Sequence, residues 1–366
     1  MIKNSITSGW DMKKIGILTG GGDCPGLNAA IRAVVRKSLS YKWTSVGIRN
    51  GWKGLIEDDM FPLSDKLVSG ILPKGGTILG TSRTNPFIKQ QNVKDIIDNI
   101  KKNELDAIVV IGGEDTLGVA FKFHKIGIPV VGIPKTIDND LSGTDFTFGF
   151  DTAISIVTEA IDRLHTTAES HHRVMVLEVM GRHAGWIATT AGIAGGADEI
   201  LIPEEPFDLD LVCNNLKARY NSGKLFSIVV VSEGARLKEM DKVATLSEEK
   251  DDFGHMRLGG IGHFLAKEIE KKLGVETRVT VLGHVQRGGT PTAYDRVLAT
   301  RFGVAAVELL KDGVFGKMVA LQGNKIVPIE IEEAVSNLKT VDKDLYEIAK
   351  IFFGKISIAE YIDNLV

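Results

Sequence analysis

The sequence has very little of several features that define whole classes of protein. It contains only two cysteines, Cys24 and Cys213, which are too few for a disulfide framework and are typical of the reducing cytoplasm. Its formal net charge of −3, from 44 basic and 47 acidic side chains, argues against nucleic-acid binding driven by bulk positive charge. No apolar run approaches the ~18 residues that a membrane-spanning helix requires. We therefore expect a globular, cytoplasmic protein.

The sequence is rich in apolar residues and in glycine. With 43% hydrophobic residues and 40 glycines among its 366 residues, it predicts a globular fold with many tight turns, and a chain of this length predicts about two domains. Residues 1–12 lack the apolar core of a signal peptide and are predicted to be an extension. Residues 238–252 are rich in charge and poor in core residues, which predicts a mobile insertion.

One pattern recurs along the chain: a buried apolar strand, a glycine-rich turn and then a helix. Helices are predicted from Leu27 and over 153–164. The predicted strands are 14–19, 45–49, 105–111, 129–133, 174–179, 227–231 and 279–282. This pattern predicts an α/β fold with two Rossmann-like lobes and doubly wound, mostly parallel sheets. We assign residues 13–149 and 286–336 to a larger lobe, and 150–285 and 337–366 to a smaller one.

The turn after the strand at 129–133 carries a dense set of reactive side chains: Lys135, Thr136, Asp138 and Asp140. In an open α/β sheet, ligands bind beyond the carboxyl ends of the strands. We therefore expect these side chains to point into a substrate cleft. The stretch taken alone is also compatible with a polar surface turn.

The glycine-rich turn after the first strand, residues 20–26, predicts a cradle for an anion, because backbone N–H groups and a helix N-terminus face such a site. The dinucleotide spacing fails, since Pro25 occupies the position of its last glycine. The P-loop spacing is met by Gly21 and Gly26, but Leu27 stands where that motif requires lysine. An ordinary tight turn remains the alternative, and Cys24 is expected to be a small packed residue.

Two further turns carry charge that suits phosphate chemistry. Glu114 and Asp115 follow the strand at 105–111, and acids beside phosphates imply a bridging divalent cation or the exclusion of a group. Arg83 lies among small hydroxyl residues and is either a phosphate clamp or a surface arginine. His171, His172 and His183 are not spaced as zinc ligands, so no zinc site is predicted.

Five turns taken together, GGGDCPGLNAAIR, GGEDT, PKTIDND, MGRHAGW and LGHVQRGG, resemble those of the 6-phosphofructokinases. The resemblance extends from about residue 13 to about residue 307. It implies two Rossmann-like lobes, dependence on Mg²⁺ and transfer of a phosphoryl group to the 1-hydroxyl of fructose 6-phosphate.

The resemblance also implies roles for individual residues. Asp138 corresponds to the general base, Thr136 lies beside it, and Arg182 stabilises charge on the transferring phosphoryl group. The implied fructose 6-phosphate residues are Asp140, Arg173, Met180, Gly181, Glu233, Arg278, His284 and Arg287. The implied phosphoryl-donor residues are Gly22, Arg83, Asp115 and Lys135. Arg173 and Arg278 resemble arginines that reach in from a neighbouring subunit, which implies a homodimer or homotetramer with shared active sites.

The phosphoryl donor is predicted from two positions at which this sequence differs from the ATP-using members of the family. ATP-using members of the family have GGDG and PGTIDND, whereas Asp115 and Lys135 match the pair found in pyrophosphate-dependent members. Glu114 replaces the usual aspartate near the metal, as in an actinobacterial-type branch that contains both kinds of enzyme. We predict a reversible pyrophosphate-dependent enzyme that forms fructose 1,6-bisphosphate and phosphate, with an ATP-dependent 6-phosphofructokinase as the alternative.

Other functional classes fit the sequence less well. A nicotinamide oxidoreductase would need an acid after the second strand, where Arg49 and Asn50 stand, and a non-catalytic effector-binding protein would not retain Asp138. The basic cluster that binds nucleotide effectors in bacterial ATP-dependent members is only partly present. Arg32, Arg36 and Lys224 align with it, whereas Asp65, His165, Ser222 and Phe226 stand where stronger donors are usual. We therefore expect weak nucleotide control.

Overall fold

The computed structural model describes residues 12–238, 245–250, 252–254 and 256–353. The strands are β1 (Lys14–Thr19), β2 (Thr44–Ile48), β3 (Met60–Leu63), β4 (Ala107–Gly112), β5 (Val130–Pro134), β6 (Val174–Val179), β7 (Glu199–Leu201), β8 (Ser227–Ser232), β9 (Thr245–Lys250), β10 (Met256–Leu258), β11 (Thr277–Val281), β12 (Lys317–Gln322) and β13 (Lys325–Glu330). The helices are α1 (Leu27–Ser40), α2 (Trp52–Glu57), α3 (Gln90–Lys102), α4 (Glu114–Lys125), α5 (Phe150–His171), α6 (Trp186–Ala194), α7 (Leu209–Asn221), α8 (Ile261–Leu273), α9 (Ala293–Lys311), α10 (Ile331–Ser336) and α11 (Lys343–Lys350). Short 3₁₀ helices span Pro86–Ile88 and Gly283–Arg287.

Most of the strands form two sheets. The seven-stranded sheet has the order β13-β12-β5-β4-β1-β2-β3, and the four-stranded sheet has the order β11-β6-β8-β7. All pairs are parallel except those of the edge strands β3 and β13, which are antiparallel to β2 and β12. Parallel strands need long crossover connections, which the helices supply. This arrangement confirms the predicted α/β fold with mostly parallel sheets.

The two sheets draw their strands from separate parts of the chain. The larger sheet uses residues 14–134 and 317–330, and the smaller uses residues 174–281. These separate sets of strands agree with the two predicted lobes. The residue boundaries of the lobes stay a prediction. One cluster of buried apolar side chains includes residues of β1, α5 and β6, so both sheets contribute to a shared core. Of the predicted N-terminal extension, only the buried Met12 lies within the described residues.

Local patterns predicted the central strands closely. The predicted strands 14–19 and 174–179 coincide with β1 and β6, and the helix predicted from Leu27 begins there as α1. Strand β9 lies within the insertion predicted over 238–252 and pairs with β10 in a two-stranded antiparallel hairpin, and the mobility of the insertion stays a prediction. Backbone hydrogen bonds between two strands can build such a hairpin without an apolar pattern. Residues 239–244 and 251 lie outside the described part. No helix of the described residues is long and apolar enough to cross a membrane.

Candidate active site

The turns that follow β1, β4 and β5 meet at one edge of the larger sheet. The Gly20 N–H donates to the Ile111 carbonyl over 3.0 Å, and the Lys135 N–H donates to the Gly112 carbonyl over 2.9 Å. Because the three strands are parallel neighbours, their carboxyl ends lie side by side. The predicted donor turn, metal turn and base turn therefore share one rim.

The segment that carries Arg83 is fastened to the first glycine turn. The Gly21 N–H donates to the Ser82 carbonyl over 3.0 Å, and the Thr81 hydroxyl donates to the Gly21 carbonyl over 2.6 Å. Arg83 follows directly and is exposed. These contacts place the arginine beside the turn at which an anion is predicted to bind.

Two cations converge on Gly22. Lys135 is only 4% exposed, and its Nζ donates a hydrogen bond to the Gly22 carbonyl. Burial lowers the pKa of Lys135 below its ordinary value. The guanidinium of Arg287 also approaches Gly22, since a Cβ atom on residue 22 would lie 1.5 Å from Arg287 Nη1. Only glycine leaves room for this approach, and the paired positive charges suit an anion.

The Asp138 carboxyl lies within electrostatic reach of these cations. Its Oδ1 is buried and has no hydrogen-bond partner among the described residues. Burial raises the pKa of Asp138 above its ordinary value, while the charges of Arg287, Lys135 and Arg182 act in the opposite direction. The Asp138 N–H donates to Thr136 Oγ1 over 3.1 Å, which helps to shape the turn. An unpartnered carboxylate oxygen beside three cations is placed to accept a proton from a substrate.

Two more acids lie within electrostatic reach of Asp138. Burial, together with the charge of Asp138, raises the pKa of Asp140 to about 7, and the charge of Glu114 adds to this shift. Burial and the charge of Asp138 likewise raise the pKa of Glu233 to about 7. Ionised carboxyls this close repel one another. A nearby cation, or a bound hydroxyl that donates a hydrogen bond, offsets this repulsion.

The smaller sheet contributes the opposite wall. Met180, Gly181 and Arg182 follow β6, and Gly181 has a left-handed φ of +127° that favours glycine. The Nε of Arg287 donates to the Met180 sulfur over 3.5 Å. His284 lies in the same 3₁₀ helix as Arg287 and is exposed.

Gln286 is a site residue that the sequence analysis did not single out. It is fully buried. Its Oε1 accepts the Met180 N–H over 3.2 Å, and its Nε2 donates to the Gly283 carbonyl over 3.1 Å. It thereby joins the two turns that carry Met180 and Arg287. Its place within the LGHVQRGG turn was the only sequence signal for this role.

The acids of the second glycine turn begin helix α4. Glu114 is exposed and Asp115 is half-buried, and both lie in the first turn of that helix. Acidic side chains are favourable at a helix N-terminus, so the fold tolerates them there without help from a ligand.

The structure does not bring Arg173 and Arg278 to this cleft within one chain. Both lie at the amino-terminal edge of the smaller sheet, whereas Arg182 follows the carboxyl end of β6. A strand of this length spans about 20 Å. Both arginines pair with Glu276, with 2.7 Å between Arg173 Nε and Glu276 Oε2.

Cys24 is not part of the chemistry. The side chain is fully buried, its sulfur lies 3.6 Å from the Phe148 carbonyl, and burial raises its pKa. A buried thiol of this kind is inert. The expectation of a small packed residue is confirmed.

A cleft that surrounds one buried carboxylate with cations has the arrangement that phosphoryl transfer requires. The chain belongs to the phosphofructokinase family, whose model matches residues 14–310. A pyrophosphate--fructose 6-phosphate 1-phosphotransferase of Streptomyces coelicolor is 59% identical over 93% of this chain and 100% of its own length. The ATP-dependent 6-phosphofructokinase 3 of the same organism is 51% identical over 92% of this chain and 99% of its own. The solved phosphofructokinase of Pichia pastoris, in its T-state, matches with a TM-score of 0.80 and 33% identity, covering 93% of this chain and 36% of that one.

Proposed function

We propose that this protein transfers a phosphoryl group from pyrophosphate to the 1-hydroxyl of fructose 6-phosphate, reversibly, in the glycolysis and gluconeogenesis of the cytoplasm. The products are fructose 1,6-bisphosphate and phosphate. The observation that carries the proposal is the buried ammonium of Lys135 against the Gly22 carbonyl, at the predicted donor turn. The Streptomyces relative named for the same reaction supports this donor. Both cysteines are free thiols, which agrees with a reducing compartment.

Asp115 and Lys135 together discriminate between donors in this proposal. ATP would extend its α-phosphate and ribose past the start of α4, where Asp115 adds a side chain and a negative charge. Like charges brought together at a desolvated site cost several kcal/mol. Pyrophosphate ends before that point, and the Lys135 ammonium lies where it can hold the departing phosphate.

The reaction then follows from the arrangement around Asp138. The 1-hydroxyl oxygen of the sugar attacks the transferring phosphorus while the bond to the departing phosphate breaks. Asp138 takes the hydroxyl proton, and the guanidinium of Arg182 stabilises the charge on the transferring group. Arg287, at the border between the two substrates, orients the sugar phosphate.

We propose Mg²⁺ as the cofactor, held by Glu114 together with the phosphates of the substrates. The charge of Glu114 raises the pKa of Asp140, so these two acids are close enough for one cation to interact with both. Within the described residues, no group of three or more metal-binding side chains is arranged to hold an ion alone. Mg²⁺ commonly uses one or two carboxylates plus substrate phosphates, so this donor set fits it. When bound, the ion would neutralise charge on the phosphates.

The test of the donor compares kcat/KM with pyrophosphate and with ATP in one coupled assay. We expect the wild type to prefer pyrophosphate by orders of magnitude, because several kcal/mol correspond to such a ratio. Asp115→Gly should admit ATP weakly, and Lys135→Gly should mainly damage pyrophosphate turnover. Asp344→Gly, which removes an acid from the first turn of α11, is the matched control. A wild type that prefers ATP would contradict the donor assignment.

A further inference from the structure

After α10, beyond the residue at which the family match ends, the chain contacts segments that follow the Asp138 and Arg182 turns. We call residues 337–341 the C-terminal strap. Leu338 forms an antiparallel bridge with Leu141, and the Ser142 hydroxyl donates to the Asn337 carbonyl over 2.7 Å. The strap therefore runs alongside the segment that directly continues the Asp138 turn.

Lys339 holds that segment through both its main chain and its side chain. Its backbone N–H donates to the Asp140 carbonyl over 2.9 Å. Its Nζ donates to the Thr144 carbonyl over 2.9 Å and to the Asp145 carbonyl over 2.5 Å. One residue thus fixes both ends of the short loop that follows the base, and a lysine can do so because its ammonium carries three donors.

The same residue also holds the opposite wall of the cleft. The indole Nε1 of Trp186 donates to the Lys339 carbonyl over 3.1 Å, and Lys339 Nζ lies 4.9 Å from the centre of a Trp186 ring. Trp186 begins α6, four positions after Arg182 in the same turn. A second link lies close by, since Glu204 accepts the N–H groups of both Gly185 and Val341 over 2.9 Å.

We propose that Lys339 is a positioning residue for phosphoryl transfer, which fixes the turn that carries Asp138 relative to the turn that carries Arg182. The base comes from the larger sheet and the arginine from the smaller, so their separation depends on contacts that cross between them. Lys339 makes direct contacts with both segments. The role rests on the function proposed above, since it acts through the two residues assigned to proton and phosphoryl transfer.

The expected signature is a loss of turnover without a loss of sugar binding. A misplacement of about 1 Å between reacting groups can cost on the order of 100-fold in rate. Among the residues proposed to bind the sugar phosphate, Asp140 is hydrogen-bonded to Lys339 only through its main-chain carbonyl, and Arg287 has no hydrogen bond to the strap among those described. Removal of the Lys339 ammonium should therefore lower kcat about 10- to 100-fold and leave KM for fructose 6-phosphate within about twofold.

The experiment measures kcat and KM for four variants of the full chain, with the donor that the wild type uses best. Lys339→Met keeps an apolar stem over Trp186 and removes the donors, whereas Lys339→Arg keeps charge and donors and should restore most of kcat. Trp186→Phe removes one hydrogen bond and should lower kcat to a smaller extent. Lys343→Met, at an exposed position four residues further on, is the matched control and should equal the wild type. Circular dichroism at the assay temperature confirms that each variant is folded.

A double variant at positions 339 and 186 separates positioning from general damage. Lys339→Met with Trp186→Phe should lower kcat by less than the product of the single effects, because both remove parts of one contact. Wild-type kcat in folded Lys339→Met, or a rise in KM with kcat unchanged, would overturn the proposal. If the wild type uses ATP, the donor assignment fails while the kcat ratios still test Lys339. A wild type without any phosphofructokinase activity would overturn both proposals.

Discussion

At the scale of single residues, the Asp138 carboxyl is the centre of the cleft. Its Oδ1 is buried without a partner among the described residues, and three cations act on its charge. A buried polar atom without a partner is costly unless a ligand supplies the missing hydrogen bond. In the proposed reaction, the sugar hydroxyl supplies it.

Replacement of this carboxylate tests the proposed base. Asp138→Asn keeps the size of the side chain and removes its ability to take a proton, so kcat should fall by ~10²–10⁴-fold. KM for fructose 6-phosphate should change little, because we propose that other side chains hold the sugar phosphate. Steady-state kinetics of the folded variant measure both values. Near-normal turnover would remove Asp138 from this role.

The pH dependence of the reaction follows from the same surroundings. Burial raises the pKa of Asp138, and a base works only when deprotonated, so kcat/KM should fall on the acid side at a pH above the ordinary aspartate range. Lys135 lowers the pKa of Asp138, so Lys135→Met should move this acid limb to higher pH. Lys101→Met, at an exposed position of α3, is the control. A limb that stays in place or moves to lower pH would contradict the assigned coupling.

At the scale of elements, helix α1, the segment after β3 and helix α5 carry residues that align with the effector-binding cluster of bacterial ATP-dependent members. Arg36 of α1 pairs with Asp65, with 2.8 Å between Nε and Oδ1. His165 of α5 forms a hydrogen bond of 2.8 Å with the Gly195 carbonyl. Asp65 already forms an ion pair with Arg36 and would repel a diphosphate. The His165 ring is already hydrogen-bonded to a main-chain carbonyl.

Nucleotide control should therefore be weak. ADP and phosphoenolpyruvate are expected to leave the fructose 6-phosphate saturation curve almost unchanged, because the basic cluster is incomplete. Initial-rate curves with and without each effector measure this, and Asp65→Ala should increase any response to ADP by freeing Arg36. A sigmoidal curve that ADP straightens in the wild type would count against the prediction.

At the scale of the whole molecule, the position of two arginines bears on how many chains form one site. Arg173 and Arg278 lie at the far edge of the smaller sheet, where they share Glu276. A phosphate dianion needs its cations. We propose that these two arginines complete the site of a neighbouring copy, which requires a homodimer or a homotetramer.

Subunit mixing tests shared sites directly. Arg278→Ala and Asp138→Asn should each be inactive as pure assemblies, because every site lacks either a cation or a base. Mixed assemblies place both defects in some sites and leave other sites intact, so activity should partly return on dissociation and reassembly. Sedimentation measures the assembly state alongside. A fully active monomer, or mixtures that stay inactive while forming mixed assemblies, would contradict shared sites.

The sequence by itself determined the central strands and the turns that carry the chemistry. The strands β1 and β6 are mainly apolar, and a short apolar run predicts a buried strand from the residues alone. The turns that carry Gly22, Asp138 and Arg182 directly follow β1, β5 and β6 in the chain, so the sequence alone locates them. Short or mixed strands such as β7 and β13 were missed, because their pairing depends on neighbours that are distant in the chain.

Only the tertiary structure decided which distant residues support the cleft. Gln286 meets Met180 across 106 positions, and Lys339 meets Thr144 across 195. The convergence of Lys135 and Arg287 on Gly22 is equally invisible in the sequence, since Lys135 lies 113 positions after Gly22 and Arg287 lies much further along the chain. Apolar periodicity records burial along a segment, whereas a hydrogen bond between segments depends on how the sheets pack. The sequence therefore determined the reacting groups, and the packing of the two sheets determined what holds them in place.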